Sequence, residues 1–119
     1  MSNTQGHLMV RYTDDVALVE CLDTRLNEEL TIQSWGDELY AMLDNIGGSS
    51  KVVLNFENVQ FLSSSALRVI ITLNSKVKAK KMKLFLCCIK PDILNVFKIT
   101  KLDSILNIRD TELEAIRSK

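Results

Sequence analysis

The chain has 119 residues, with 15 lysines and arginines balanced by 15 aspartates and glutamates, for a formal net charge of zero. That size suits one compact domain, and the balanced charge argues against loose adhesion to nucleic acid or to an anionic membrane surface. Hydrophobic residues make up 46% and charged residues 25%, an ordinary globular composition, and no apolar run nears the roughly 20 residues of a membrane helix. The first residues, MSNTQGHLMVRYTDD, lack the basic-then-apolar plan of a signal peptide. A cytoplasmic protein is expected, one domain over residues 1–119, with residues 1–6 disordered.

In chain order, Leu8–Tyr12 and Val16–Leu22 are apolar-rich runs separated by Thr13, Asp14 and Asp15. Paired aspartates there are turn chemistry, so a hairpin is expected. From Asn27 to about Ile46 the period changes. Ile32, Trp35, Leu39, Met42 and Ile46 recur at three and four residues, the core stripe of a helix. Gly36 weakens this helix, and Gly47-Gly48 ends it. Trp35 sits on the stripe and reads as core.

Lys51–Phe56 (KVVLNF) is apolar without alternation, as expected for a strand buried on both faces. After three serines, Ala66, Ile70, Leu73 and Val77 form a second helical stripe, with Leu67 and Ile71 beside it. Leu84–Ile89 (LFLCCI) predicts another buried strand. Pro91 suits a first helical turn, with Ile93, Val96 and Phe97 as its apolar face. Leu102, Ile105, Leu106 and Ile108 supply a short strand and its approach. Thr111-Glu-Leu-Glu114 has the spacing of a capping box, with Leu113 and Ile116 expected to face inward. The order is β-β-α-β-α-β-α-β-α. It implies an α/β fold with a mixed, mostly parallel sheet of about five strands and helices packed on it.

Several chemistries lack their parts. The sole histidine is His7, the cysteines are Cys21, Cys87 and Cys88, and C-x-x-C is absent; no metal site or cofactor is expected. Neighbouring cysteines in a strand point to opposite faces, so all three thiols read as small buried residues. A serine hydrolase needs a base beside its nucleophile and a G-x-S-x-G turn, and neither is present. The chain is expected not to be an enzyme. Lysines at 76, 78, 80, 81 and 83 read as a solvated helix end. A receiver-like phosphate acceptor would need an aspartate at the end of the central strand, where Asn55 stands instead.

The three serines remain. A helix starting near Ser63 leaves its first four N–H groups without helical partners, and one hydroxyl at the N-cap satisfies one of them. A phosphate on the next hydroxyl would meet the positive end of the helix dipole and free N–H donors. It would add about two negative charges to a surface a partner could cover.

The stretch VVLNFENVQFLSSSALRVII resembles the signature of the STAS domain, shared by bacterial anti-sigma factor antagonists and sulphate transporters. There an apolar strand often ends in Asp, and Phe-Ile-Asp-Ser-Ser-Gly-Leu leads into a helix. Downstream, Pro91, Val96-Phe97 and Thr100-Lys101-Leu102 continue the likeness, which covers nearly the whole chain. Ser64 matches the phosphorylated serine of switchable antagonists, Ser63 the preceding aspartate and Ser65 the following residue. Ala66 replaces the usual glycine, Leu67 is kept, and Asn55 stands where the strand often ends in Asp.

The resemblance implies a regulatory binding module that antagonises an anti-sigma factor. The implied partner is a serine kinase of the histidine-kinase ATPase fold, with a serine phosphatase reversing the modification. Ser63, Ser64, Ser65, Ala66 and Arg68 would form the partner surface, with Ser63 as N-cap and Ser64 as phosphoacceptor. Ser63 and Ser65 remain alternative acceptors: if the helix begins one residue later, Ser64 is occupied as the cap and Ser65 takes its place. A second reading keeps the fold as an unphosphorylated scaffold acting by constitutive contacts or as a homodimer. A third is a small-ligand sensor.

Overall fold

A computed structural model describes residues 3–46 and 48–118, with side chains described from residue 6 onward. Its elements run β1 (Asn3–Gln5), β2 (Leu8–Thr13), β3 (Val16–Cys21), β4 (Arg25–Leu26), α1 (Glu29–Asp44), β5 (Lys51–Asn55), β6 (Phe61–Leu62), α2 (Ser64–Ala79), β7 (Lys83–Cys87), α3 (Pro91–Ile99), a 3-10 turn (Leu102–Ser104), β8 (Asn107–Arg109) and α4 (Glu112–Arg117). The main sheet has the order β1-β2-β3-β5-β7-β8. β1, β2 and β3 are antiparallel neighbours, and β3, β5, β7 and β8 run parallel. The five expected strands are its body, and β1 adds a sixth.

The first residues correct the sequence reading. Asn3–Gln5 pair with Val10–Leu8, a backbone ladder that leaves no apolar pattern to read; residues 1 and 2 lie outside the described residues. Between β2 and β3, Asp14 takes a left-handed φ of 52°, a conformation aspartate tolerates better than most residues.

Strand alternation divides the core in two. Ala17, Val19, Val52, Leu54, Leu84 and Leu86 face α1, α2 and α3, whose buried stripes include Trp35, Ile70 and Phe97. The opposite sides of the same strands, Val16, Leu18, Val53, Phe85 and Cys87, pack under α4 through Ala115. This is why β5 carries no polar alternation: both faces are covered. Gly36 is buried where α1 meets α2, and a Cβ there would lie 3.3 Å from both Val69 methyls. The glycine therefore costs helix propensity but lets the two helices approach closely.

Three inward assignments fail. Leu113 is 55% exposed, because α4 turns Ala115 to the sheet; a six-residue helix buries too narrow a stripe to include both. Val96 is likewise exposed, while its neighbour Phe97 is fully buried. Cys88 is half-buried rather than buried, because β7 ends at Cys87. Among the described residues, no helix is long and apolar enough to cross a membrane.

Candidate functional site

Parallel β-α units bring the N-termini of α1, α2 and α3 to one end of the sheet, beyond the C-terminal ends of β3, β5 and β7. In open α/β sheets that end is where ligands and partners are met. The three serines lie there. Ser63 has extended backbone angles (φ −86°, ψ 170°), and its Oγ accepts the Ala66 N–H at 3.4 Å. Its carbonyl accepts the first intrahelical bond, from Leu67 N–H, at 3.1 Å. The helix therefore takes the earlier of the two registers, with Ser64 as its first residue.

Ser64 is exposed, and no described residue hydrogen-bonds its hydroxyl. The N–H groups of Ser64 and Ser65 also lack partners among the described residues, since the first bonds of the helix come from Ala66 and Leu67. Ser65 is half-buried and lines a groove of about 400 Å³ between α1 and α2, with Glu29, Gly36, Asp37, Tyr40 and Arg68. Ala66 is fully buried, so of the expected partner surface it contributes no side chain. Arg68 is exposed one turn after Ser64, the i,i+4 spacing at which helix side chains meet.

At 3.4 Å the Ser63 bond is long for an N–H donor. Ser63→Ala is accordingly expected to lower stability by only about 0.5 kcal/mol, the small end of N-cap effects. Urea unfolding measures it, and a loss several times larger would contradict this weak cap.

The segment leading to the serines is held from two sides. Gln60 and Phe61 donate their N–H groups to Thr24 O at 2.7 and 3.2 Å, and Ser63 N–H donates to Leu26 O at 3.0 Å. The short parallel pair β4–β6 is the result. Asn58 donates to Glu20 Oε2 at 2.8 Å, while Lys90 Nζ donates to Glu57 O at 2.7 Å. Phe61 stays 47% exposed beside the serines, with the Arg25 guanidinium 5.3 Å from its ring centre. Sequence reasoning missed this pair. Phe61 was visible in the motif, but the two-residue strand carrying Arg25 has no periodicity to reveal it.

Asn55 ends β5 and is buried. Its Oδ1 accepts Glu57 N–H at 2.8 Å, and its Nδ2 donates to Glu112 Oε2 at 3.0 Å. An amide can do both; a carboxylate can only accept. The residue thus ties the serine loop to the start of α4, where Arg11 also reaches Glu112 at 3.3 Å. Asn55→Asp would set two carboxylates against each other, raising a folded-state carboxyl pKa. Such a group destabilises above its unfolded value and ceases to at lower pH. The variant is expected to lose about 1–3 kcal/mol at pH 7 and to recover most of it below about pH 4. A loss independent of pH would show that repulsion is not the cause.

Among the described residues, no cluster of three or more His, Cys, Asp or Glu side chains could hold a metal. The site offers an exposed hydroxyl, open backbone donors, two arginines (Arg25 and Arg68) and one aromatic ring. That is the equipment of a docking surface that can accept charge.

A family model described as STAS domain matches residues 4–115. A relative described as an anti-sigma factor antagonist, BtrV of Bordetella bronchiseptica, is 29% identical over 97 residues, 82% of this chain and 81% of that protein. The fold is similar to an anti-sigma-factor antagonist (STAS) domain protein from Planctomyces limnophilus, with TM-score 0.81 and 20% identity over 95% of this chain and 97% of that one. It is also similar to the Bacillus cell fate determinant SpoIIAA in its phosphorylated form, with TM-score 0.65 and 19% identity over 92% and 96%. With the family model spanning nearly all of the β-β-α-β-α-β-α-β-α core, the chain belongs to the STAS domain family.

Proposed function

We propose that this protein is an anti-sigma factor antagonist switched by phosphorylation of Ser64. The observation that carries the reading is the division of labour among the serines. Ser63 caps the helix, Ser65 lines the α1–α2 groove, and Ser64 is exposed with its hydroxyl uncommitted. A phosphate there meets free N–H groups and the positive end of a 16-residue helix. Arg68, one turn on, can pair with it. The domain therefore tolerates the modification, while a partner covering the surface does not.

The unphosphorylated surface, Ser63 to Arg68 with Phe61 and Arg25 beside it, docks an anti-sigma factor that is itself a serine kinase of the histidine-kinase ATPase fold. Phosphate transfer ends that docking, and a serine phosphatase restores it. The protein performs no chemistry of its own. Support comes from the family, from the BtrV relative, and from a structural neighbour described in a phosphorylated form.

Incubation with the cognate kinase and ATP is the test. Ser64→Ala is expected to abolish phosphate incorporation, whereas Ser63→Ala and Ser65→Ala retain it. Incorporation that survives Ser64→Ala and disappears with Ser65→Ala would move the acceptor into the groove. No incorporation into the wild type by any cognate kinase would favour the scaffold reading.

A further inference from the structure

Cys88 follows the last residue of β7 and takes a left-handed backbone conformation, φ 61°, uncommon for any residue but glycine, asparagine or aspartate. In an extended strand the two thiols would point to opposite faces. The turn instead swings Cys88 back over its neighbour, and the two sulfurs lie 3.6 Å apart. The sequence expectation that these two thiols point to opposite faces is overturned by that one dihedral. Cys87 is buried in the core under α4, and Cys88 is half-buried at its margin. A part-exposed cysteine thus sets its sulfur against that of a fully buried one.

We infer that Cys87 and Cys88 form a reversible oxidation site, closing to a disulfide between sequence neighbours when the protein meets a peroxide. The Cys88 thiolate attacks a peroxide oxygen; the O–O bond breaks, an S–OH forms, and the released hydroxide takes up the thiol's proton as water. The Cys87 sulfur then attacks the Cys88 sulfur. The S–O bond breaks, the S–S bond forms, and the leaving hydroxide departs as a second water with the Cys87 proton. Two thiols and one hydrogen peroxide become one disulfide and two waters, with two electrons passing from sulfur to oxygen. Burial pushes the Cys87 thiol well above its ordinary value, which makes the second step the slow one.

Neighbouring Cα atoms are about 3.8 Å apart, closer than a relaxed disulfide prefers, so the bridge forms under strain and small thiols reopen it. Its closure disturbs the serine loop. Cys87 O accepts Phe56 N–H at 3.0 Å, and Cys88 N–H donates to Asp110 O at 3.3 Å. Moving the peptide between the two cysteines weakens both bonds. This holds whether or not Ser64 accepts phosphate.

The test is treatment of the wild-type protein with stoichiometric hydrogen peroxide, then alkylation of the unfolded chain without reductant and tryptic mapping. The expected peptide beginning at Leu84 is unalkylated and lighter by two hydrogens, while the Cys21 peptide is alkylated. Glutathione restores alkylation of both cysteines, and amide exchange at Phe56 is about tenfold faster in the oxidised protein. Extra oxygen on Cys88 with Cys87 alkylated, a Cys88-linked dimer, or three alkylated thiols would each overturn the inference. Cys88→Ala, which keeps Cys87, should yield no bridged peptide; a bridge involving Cys21 in that variant would equally overturn it.

Discussion

Replacing Lys51 with methionine is expected to cost about 2 kcal/mol of stability and to release the C-terminal end of α4. Lys51 opens β5 and is only 8% exposed. Its Nζ donates to the carbonyls of Ala115 at 3.1 Å and Ile116 at 2.7 Å, and also to that of Ser118. These are among the last carbonyls of α4, which have no helical partners and form the negative end of its dipole. The ammonium also stands 4.9 Å from the Phe85 ring centre. Each charge-assisted bond is worth roughly 1.5–3 kcal/mol, but the methionine variant recovers the cost of burying the ammonium. The net loss is therefore nearer one such bond than three.

The same burial, opposed by the Asp15 carboxylate, lowers the Lys51 pKa below its ordinary 10.5. Between the lowered value and 10.5 the unfolded chain binds more protons than the folded one, so wild-type stability gains as pH rises through that window. The methionine variant lacks this gain. Its deficit should therefore widen from neutral pH toward the ordinary lysine value. Urea unfolding at both ends of the range, with unchanged m-values, measures it. Equal midpoints for the two proteins would show that α4 is held by apolar packing alone.

Ser64→Asp is expected to weaken binding of the anti-sigma factor at least tenfold, about 1.4 kcal/mol, while leaving the unfolding midpoint near that of the wild type. A carboxylate in the first turn of α2 is mildly stabilising to the helix itself. Beneath a partner it becomes a desolvated charge, whose burial without a matched cation costs several kcal/mol. Ser64→Ala carries no charge and should bind as the wild type does. Titration of each variant against the partner separates these outcomes. A Ser64→Asp protein that binds with unchanged affinity would place the docking surface away from α2. Weakening by both substitutions would point to loss of the hydroxyl rather than gain of charge.

The strand beneath α4 connects the two regions these variants probe. Lys51 holds the C-terminal end of α4, and Asn55, four residues on along β5, holds its start through Glu112. Asn55 also fixes Glu57 N–H, the first step of the loop that carries Phe61 and Ser63. β5 thus presents Lys51, Val53 and Asn55 to α4 on alternate positions, and Val52 and Leu54 to the larger core.

Much of this was legible in the residues. The hairpin and the buried strands follow from short apolar runs bounded by turn residues, and the stripes of α1 and α2 from a period near 3.6 sustained over several turns. The junction at Ser63 was legible because capping is a local rule. What escaped depended on partners distant in sequence. Lys51 reads as the polar start of a strand until α4, from a remote part of the chain, folds over it. Asn55 reads as a lost aspartate until Glu112 faces it. β4 and β6 have two residues each, too few to show any period. Leu113 was assigned inward from a pattern that Ala115 satisfied better. Cys88 defied the strand rule because one left-handed turn ends the strand before it.

Phosphopeptide mapping of the protein taken from its native cells, in growth and under stress, tests the central claim most directly. Trypsin releases Val52–Arg68 whole, since no lysine or arginine lies between them. Phosphate on Ser64, changing with condition, is the predicted result. A peptide that is unmodified in every condition, or modified only at Ser63 or Ser65, would contradict it.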